Sequence, residues 1–213
     1  ILKGKLLGKK RFLPGKNIHP SAEDTNIYVA VTNGVVSIHN RKVSVENKTV
    51  INSDIDYETG NIKIEGSLEI FGNVKTGFEV KSTGDIYIHG NVEDCVIHAD
   101  GDVIIDNGIL GKGNAMITAG NNISIGFAQN CHFKAKNDIM VKESLIQCEI
   151  VCKGQLIVEG TVIGGECIAK RGINVKIAGS EKGVDTKLIV GRDPEIEDAI
   201  RVKEEEKKQI ELL

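Results

Sequence analysis

From about Gly60 to Val175 the chain repeats one short pattern of apolar and polar positions. Its clearest copies are Gly84-Asp85-Ile86-Tyr87-Ile88 and Gly101-Asp102-Val103-Ile104-Ile105, in which two turn formers precede alternating apolar residues. With the first apolar residue as anchor, seven anchors fall at Leu68, Ile86, Val103, Ile123, Ile139, Leu156 and Ile173, spaced 18, 17, 20, 16, 17 and 17 residues apart. A second apolar residue stands two places after each anchor, from Ile70 to Val175. That is the period of a strand with one buried face.

The rest of each copy keeps the same register. Eight, six and four residues before an anchor stand small or apolar residues, as in Cys95/Ile97/Ala99 and Cys131/Phe133/Ala135. Six residues after the anchor, Val74, Val92, Ile109, Leu145 and Val162 supply a third inward position, which Gln129 and Gly179 interrupt. Two before it come Gly66, Gly84, Gly101, Asn121, Asn137, Gly154 and Arg171. Gly and Asn tolerate positive φ, so this column predicts a recurring tight corner. Each copy then gives three short strands, too few to bury their own apolar face but able to stack on the next copy. The prediction is an all-β chain, a parallel β-helix of about seven coils of ~17 residues. A left-handed acyltransferase-type helix would need an aliphatic residue at every sixth position, which these alternating strands do not supply.

The flanks depart from this rhythm. Residues 1–50 are expected to form an N-terminal arm and a small β unit, residues 51–192 the β-helix, and residues 193–213 a C-terminal α-helix. The first twenty residues hold Lys3, Lys5, Lys9, Lys10, Arg11 and Lys16 and no acid, which suits a solvated linker or a contact with phosphate or anionic lipid. Strands are expected at 27–31, 34–38, 42–45 and 48–51, with hairpin turns at Asn33-Gly34 and Asn40-Arg41, a unit placed to cover the open edge of the stack. Val43 and Val45 lie eight and six residues before Ile51, which suggests a degenerate first coil. Thr186–Val190 adds one more alternating strand before Pro194, which cannot join a central ladder. Asp193 suits an N-cap and Pro194 a first helical position, and the helix reads either as the start of a coiled coil or as a solvated cap. A chain that begins at Ile1 and stops in helical pattern at Leu213 reads as part of something longer.

Composition narrows the function. A formal net charge of -3 is not the basic balance of a nucleic-acid binder, and nothing approaches a membrane-spanning run. All five cysteines, Cys95, Cys131, Cys148, Cys152 and Cys167, occupy inward positions of the repeat. They read as small core residues, and without CxxC pairs or Cys/His clusters no metal and no cofactor are expected. Free buried thiols fit a reducing, cytoplasmic setting.

Outward columns carry whatever chemistry there is. Seven residues before the anchors, Glu149 and Glu166 are the one adjacent acidic pair, with His132 a coil below. This trio is the candidate acid/base site, and His89 beside Asp106 is a weaker one. Polysaccharide lyases and hydrolases on β-helices need such acidic groups from neighbouring coils. Against that, Ile104, Met140 and Ile157 share the column one residue after the anchors, where a solvated face would be polar. Val96 and Met116 also stand outward, and exposed apolar residues of this kind favour a protein contact.

The run from Thr59 through Gly113, with Ala119–Phe127, Val162–Ile173 and Asp185–Glu195, resembles the bacterial flagellar assembly protein A family (DUF342). The resemblance implies a cytoplasmic bacterial protein built on a right-handed parallel β-helix, often followed by a coiled coil. It brings no catalytic residues onto positions here. The expectation is therefore a noncatalytic structural or interaction module, serving scaffolding or flagellar or polar assembly, with protein partners or self-association. No nucleic acid, membrane span or small-molecule substrate is expected. The alternative is a polysaccharide-active lyase or hydrolase.

Overall fold

Alternation at a period of two residues makes strands, and the repeat of about seventeen brings each strand beside its copy one coil on. The computed structural model describes residues 12–24, 27–32, 34–193 and Lys203. It divides into two units, Ile1–Thr49 and Val50–Leu213.

The second unit is a β-solenoid of about eight turns with parallel strands. In one file the anchors pair in a continuous column, Leu68 with Ile86, then Val103, Ile123, Ile139, Leu156 and Ile173. A second column runs from Ile62 through Val80, Ile97, Ile117, Phe133, Ile150 and Cys167 to Leu188. Between them a single inward residue per turn closes the triangle, beginning Ile55, Val74, Val92, Ile109. These columns form one continuous core, in which Ile86, Ile97, Ile109 and Ile139 are fully buried. Burying such a side chain stabilises by roughly 1.5–3 kcal/mol.

Two features of the corners differ from expectation. The third column keeps its pairing: the buried Ala128, not Gln129, stands opposite Ile109, and Ala178, not Gly179, opposite Val162, although Ala178 is exposed in the last turns. Register shifts between Ile105 and Gly108 and between Val158 and Thr161 absorb the difference, so a count from the anchor misses by one residue. In the predicted corner column only Gly66 has positive φ, at 94°. Gly154 is needed there for room, because a β-carbon would overlap the Asp138 carboxylate and the Asn137 backbone. Positive φ recurs instead where the chain enters the second column, at Gly77, Asn130, Gln147 and Gly164.

The residue after each corner position forms a polar ladder. Asp85 Oδ1 accepts the N–H of Asp102 at 2.8 Å, Asp102 that of Asn122 at 2.9 Å, Asn122 that of Asp138 at 3.1 Å, and Asp138 that of Gln155 at 2.7 Å. At another bend Asp94, only 7% exposed, accepts from Lys112 N at 2.8 Å and Asn114 N at 3.0 Å. These bonds, led by the one from Lys112, hold its carboxyl below the usual carboxylate range.

The stack exceeds seven coils because a turn precedes Leu68. The Ile51 carbonyl accepts the N–H of Phe71 at 2.9 Å, as that of Ile70 accepts from His89 at 2.9 Å, so Ile51 takes the second position of its strand and not the anchor. Val43 and Val45 are not a degenerate coil. They pair antiparallel with Ile38 and Val36.

The first unit contains that hairpin, Val35–His39 with Lys42–Glu46, turned by Asn40 and Arg41 at φ 47° and 64°. Two consecutive left-handed residues match the strand twist of a two-residue hairpin. Leu13–Pro14 adds in parallel to Lys42–Glu46, and Ile18–Pro20 pairs antiparallel with Tyr28–Ala30, so part of the expected linker is strand. The expected C-terminal helix lies outside the described residues except for Asp193 and Lys203, as does the basic stretch through Arg11.

Candidate functional site

On the anchor file the outward residues between the two buried positions follow one another from coil to coil. Glu69, Tyr87, Ile104, Ser124, Met140, Ile157 and Asn174 are paired neighbours in that order. Met140 therefore lies directly beside Ile157, while Ser124 separates this pair from Ile104. Ile104 and Met140 are 38% and 42% exposed, and Ile157 is half-buried. On the neighbouring face Val96 pairs with Met116, whose side chain is exposed.

His132, Glu149 and Glu166 also form one outward row. His132 Nδ1 is 3.0 Å from Glu149 Oε2, and its Nε2 is 3.1 Å from the Gly113 carbonyl. Both ring nitrogens thus face acceptors within the fold. Glu166 stands opposite Lys187 in the last turn. The exposed Glu149 pairs with the ring, an arrangement that holds a surface and offers no enclosed acid/base pair.

The most elaborate polar cluster surrounds His89. Its Nδ1 meets Asp106 Oδ2 at 2.8 Å and its Nε2 meets Glu69 Oε1 at 3.0 Å. Tyr87 donates its hydroxyl to Asp106 at 2.8 Å. The imidazole stacks on Phe71, with ring centroids 4.4 Å apart and planes at 11°, and meets Tyr87 edge-on at 4.1 Å. The Glu69 bond, opposed by partial burial and helped by Asp106, raises the His89 pKa. Asp106 raises that of Tyr87. Sequence columns place His89 beside Asp106; the convergence of Glu69 and Phe71 follows from the columns one and three after the anchor sharing a face.

The thiols lie within the core. All five are free and buried. Burial first, then nearby carboxylates, pushes Cys95 up to about 12. The facing Cys148 thiol and burial raise Cys131. Among the described residues no group of three or more His, Cys, Asp or Glu is arranged to hold a metal ion.

The family model described as Flagellar Assembly Protein A beta solenoid domain matches residues 47–212. The chain belongs to this flagellar assembly protein A family. The match covers the whole solenoid, from the turn that precedes Leu68 to the last rung at Thr186–Val190. No curated protein and no solved structure matches the chain. Among the described residues no helix is long and apolar enough to cross a membrane.

Proposed function

We propose that this flagellar assembly protein A solenoid is a noncatalytic scaffold that self-associates through the flank of its anchor file. The observation that carries the proposal is the outward pairing of Met140 with Ile157, with Ile104 in the same file. A β-solenoid gives a flat, rigid flank, and since Ile104 and Met140 are 38% and 42% exposed, covering what remains of each contributes about half or less of the roughly 1.5–3 kcal/mol that full burial of such a side chain brings. The regions before residue 51 and after residue 192 are then flanking segments that recruit other partners. Five free core thiols support a reducing, cytoplasmic location. The winding is right-handed in this reading, the hand that parallel crossover connections favour.

Light scattering tests the idea on the wild type and on an Ile104→Asp/Ile157→Asp variant. A dimer or larger species is expected for the first and a folded monomer for the second. A folded monomer in both overturns it.

A second reading, a polysaccharide-active lyase or hydrolase, draws on the aromatic and acidic residues around His89. Its carboxylates are already engaged: Asp106 by Tyr87 and His89, Glu69 by His89. Release of new chain ends from a panel of neutral and acidic polysaccharides, abolished by Asp106→Asn, would establish that reading.

A further inference from the structure

The flank that carries the second inward column presents a different chemistry from the anchor file. Its outward residues run in paired order Lys63, Lys81, His98, Thr118, Lys134 and Val151. Two residues on, Lys136 and Lys153 edge the same face. Lys63, Lys81 and His98 line one concave stretch, and His98, Lys134, Lys136 and Lys153 line the next. The stretches share His98 and Asp100, so they form one groove along the stack.

The groove holds five lysines against two carboxylates, Glu65 and Asp100, in a chain whose net charge is -3. Asp100 is turned to His98, at 3.3 Å from its Nε2, and Lys81 is paired with Glu79 at 2.6 Å. Lys63, Lys134 and Lys136 have no acidic partner among the described residues. Like charges on adjacent strands repel. An anion laid along the groove removes that repulsion.

We infer that this lysine groove docks an extended acidic segment of a partner protein, lying along the axis of the stack. Six rungs at about 4.8 Å span roughly 24 Å, the length of about seven extended residues. Val151 adds apolar surface for side chains between the carboxylates. No Phe, Tyr or Trp lines the groove, and its one imidazole, His98, is turned to Asp100, so it lacks the run of stacking platforms that single-stranded nucleic acid uses. The groove lies on a different file from Ile104, Met140 and Ile157, and the inference does not depend on self-association.

Fluorescence anisotropy of the full chain tests it with a labelled oligoglutamate of about ten residues. Oligolysine, oligothymidine and phosphatidylglycerol vesicles serve as competing probes. Oligoglutamate is expected to bind at low salt, to weaken as salt screens the contacts, and to lose about tenfold or more in affinity in Lys134→Gln/Lys136→Gln/Lys153→Gln. Light scattering of that variant should match the wild type, which separates this surface from the apolar flank. If the triple variant fails to fold, Lys63→Gln/Lys81→Gln provides the same comparison at the other end of the groove. Absence of oligoglutamate binding, binding that survives neutralisation of the lysines, or tighter binding of oligothymidine or vesicles overturns the inference.

Discussion

Asp102 accepts the backbone N–H of Asn122, one coil further on, at 2.9 Å. The same oxygen takes the side-chain amides of Asn121 and Asn122 at 2.7 and 3.0 Å. One carboxylate thus adds to the backbone bonds that already join the two coils at this corner, where Asn121 N–H donates to the Gly101 carbonyl at 3.1 Å and Val103 N–H to that of Asn122 at 2.9 Å. Asp102→Ala is expected to destabilise by about 1–2 kcal/mol, the cost of leaving partly buried donors without an acceptor. Asp102→Asn, which keeps a carbonyl oxygen in place, should recover most of that loss. Urea denaturation of the three proteins measures it, and equal stability of wild type and the alanine variant would remove the ladder from the account of the fold.

Inward and outward residues of one strand should behave oppositely. Ile117 is fully buried between Ile97 and Phe133, whereas its neighbour Met116 is 51% exposed. Ile117→Ala is expected to cost about 2–5 kcal/mol by cavity formation. Met116→Ala should stay within about 0.5 kcal/mol. A comparable loss at both positions in denaturant titrations would mean that the strand is turned differently or that its outer face is covered.

The inward columns were legible in the sequence because burial on one side of a strand forces alternation, and stacking forces the alternation to repeat. Anchors from Leu68 to Ile173 could therefore be placed by counting. The exchange of Gln129 for Ala128 could not, since a corner can lose a residue while both flanking strands keep register. The glycines were harder for another reason. Gly154 answers a need for space and Gly164 a need for positive φ, and the letter is the same. Among outward residues, the row His132, Glu149 and Glu166 followed from the repeat, as did Met140 beside Ile157. The four-sided setting of His89 did not, because its partners come from three coils and two columns.

The thiols provide a test of the core without mutation. Burial leads the rise of Cys152 to about 11 and of Cys167 to about 12, and a protonated thiol is a poor nucleophile. Native protein at mildly alkaline pH should react slowly with a disulfide reagent, and unfolded protein should release all five thiols at once. Rapid stoichiometric reaction of Cys95, Cys131 and Cys148 in the native state would contradict their inward placement.

His89 predicts a pH dependence of stability. Both ring nitrogens face carboxylate oxygens, Asp106 at 2.8 Å and Glu69 at 3.0 Å, so both contacts are hydrogen bonds only when both nitrogens carry a proton. Glu69, with Asp106 beside it, accordingly raises the imidazole pKa in the folded protein. Folding then takes up a proton wherever the unfolded imidazole, at about 6.5, has lost it. The stabilisation is complete below that value and fades as pH rises through the raised folded value. Subtracting the unfolding free energy of His89→Gln from that of the wild type isolates this residue from His98 and His132. The difference is expected to be largest near pH 6 and to shrink steadily toward pH 9, measured by denaturant titration at about half-unit steps. A difference that stays constant, or grows with pH, would show that His89 is held as a neutral ring by its stacking on Phe71 and not by its two carboxylates.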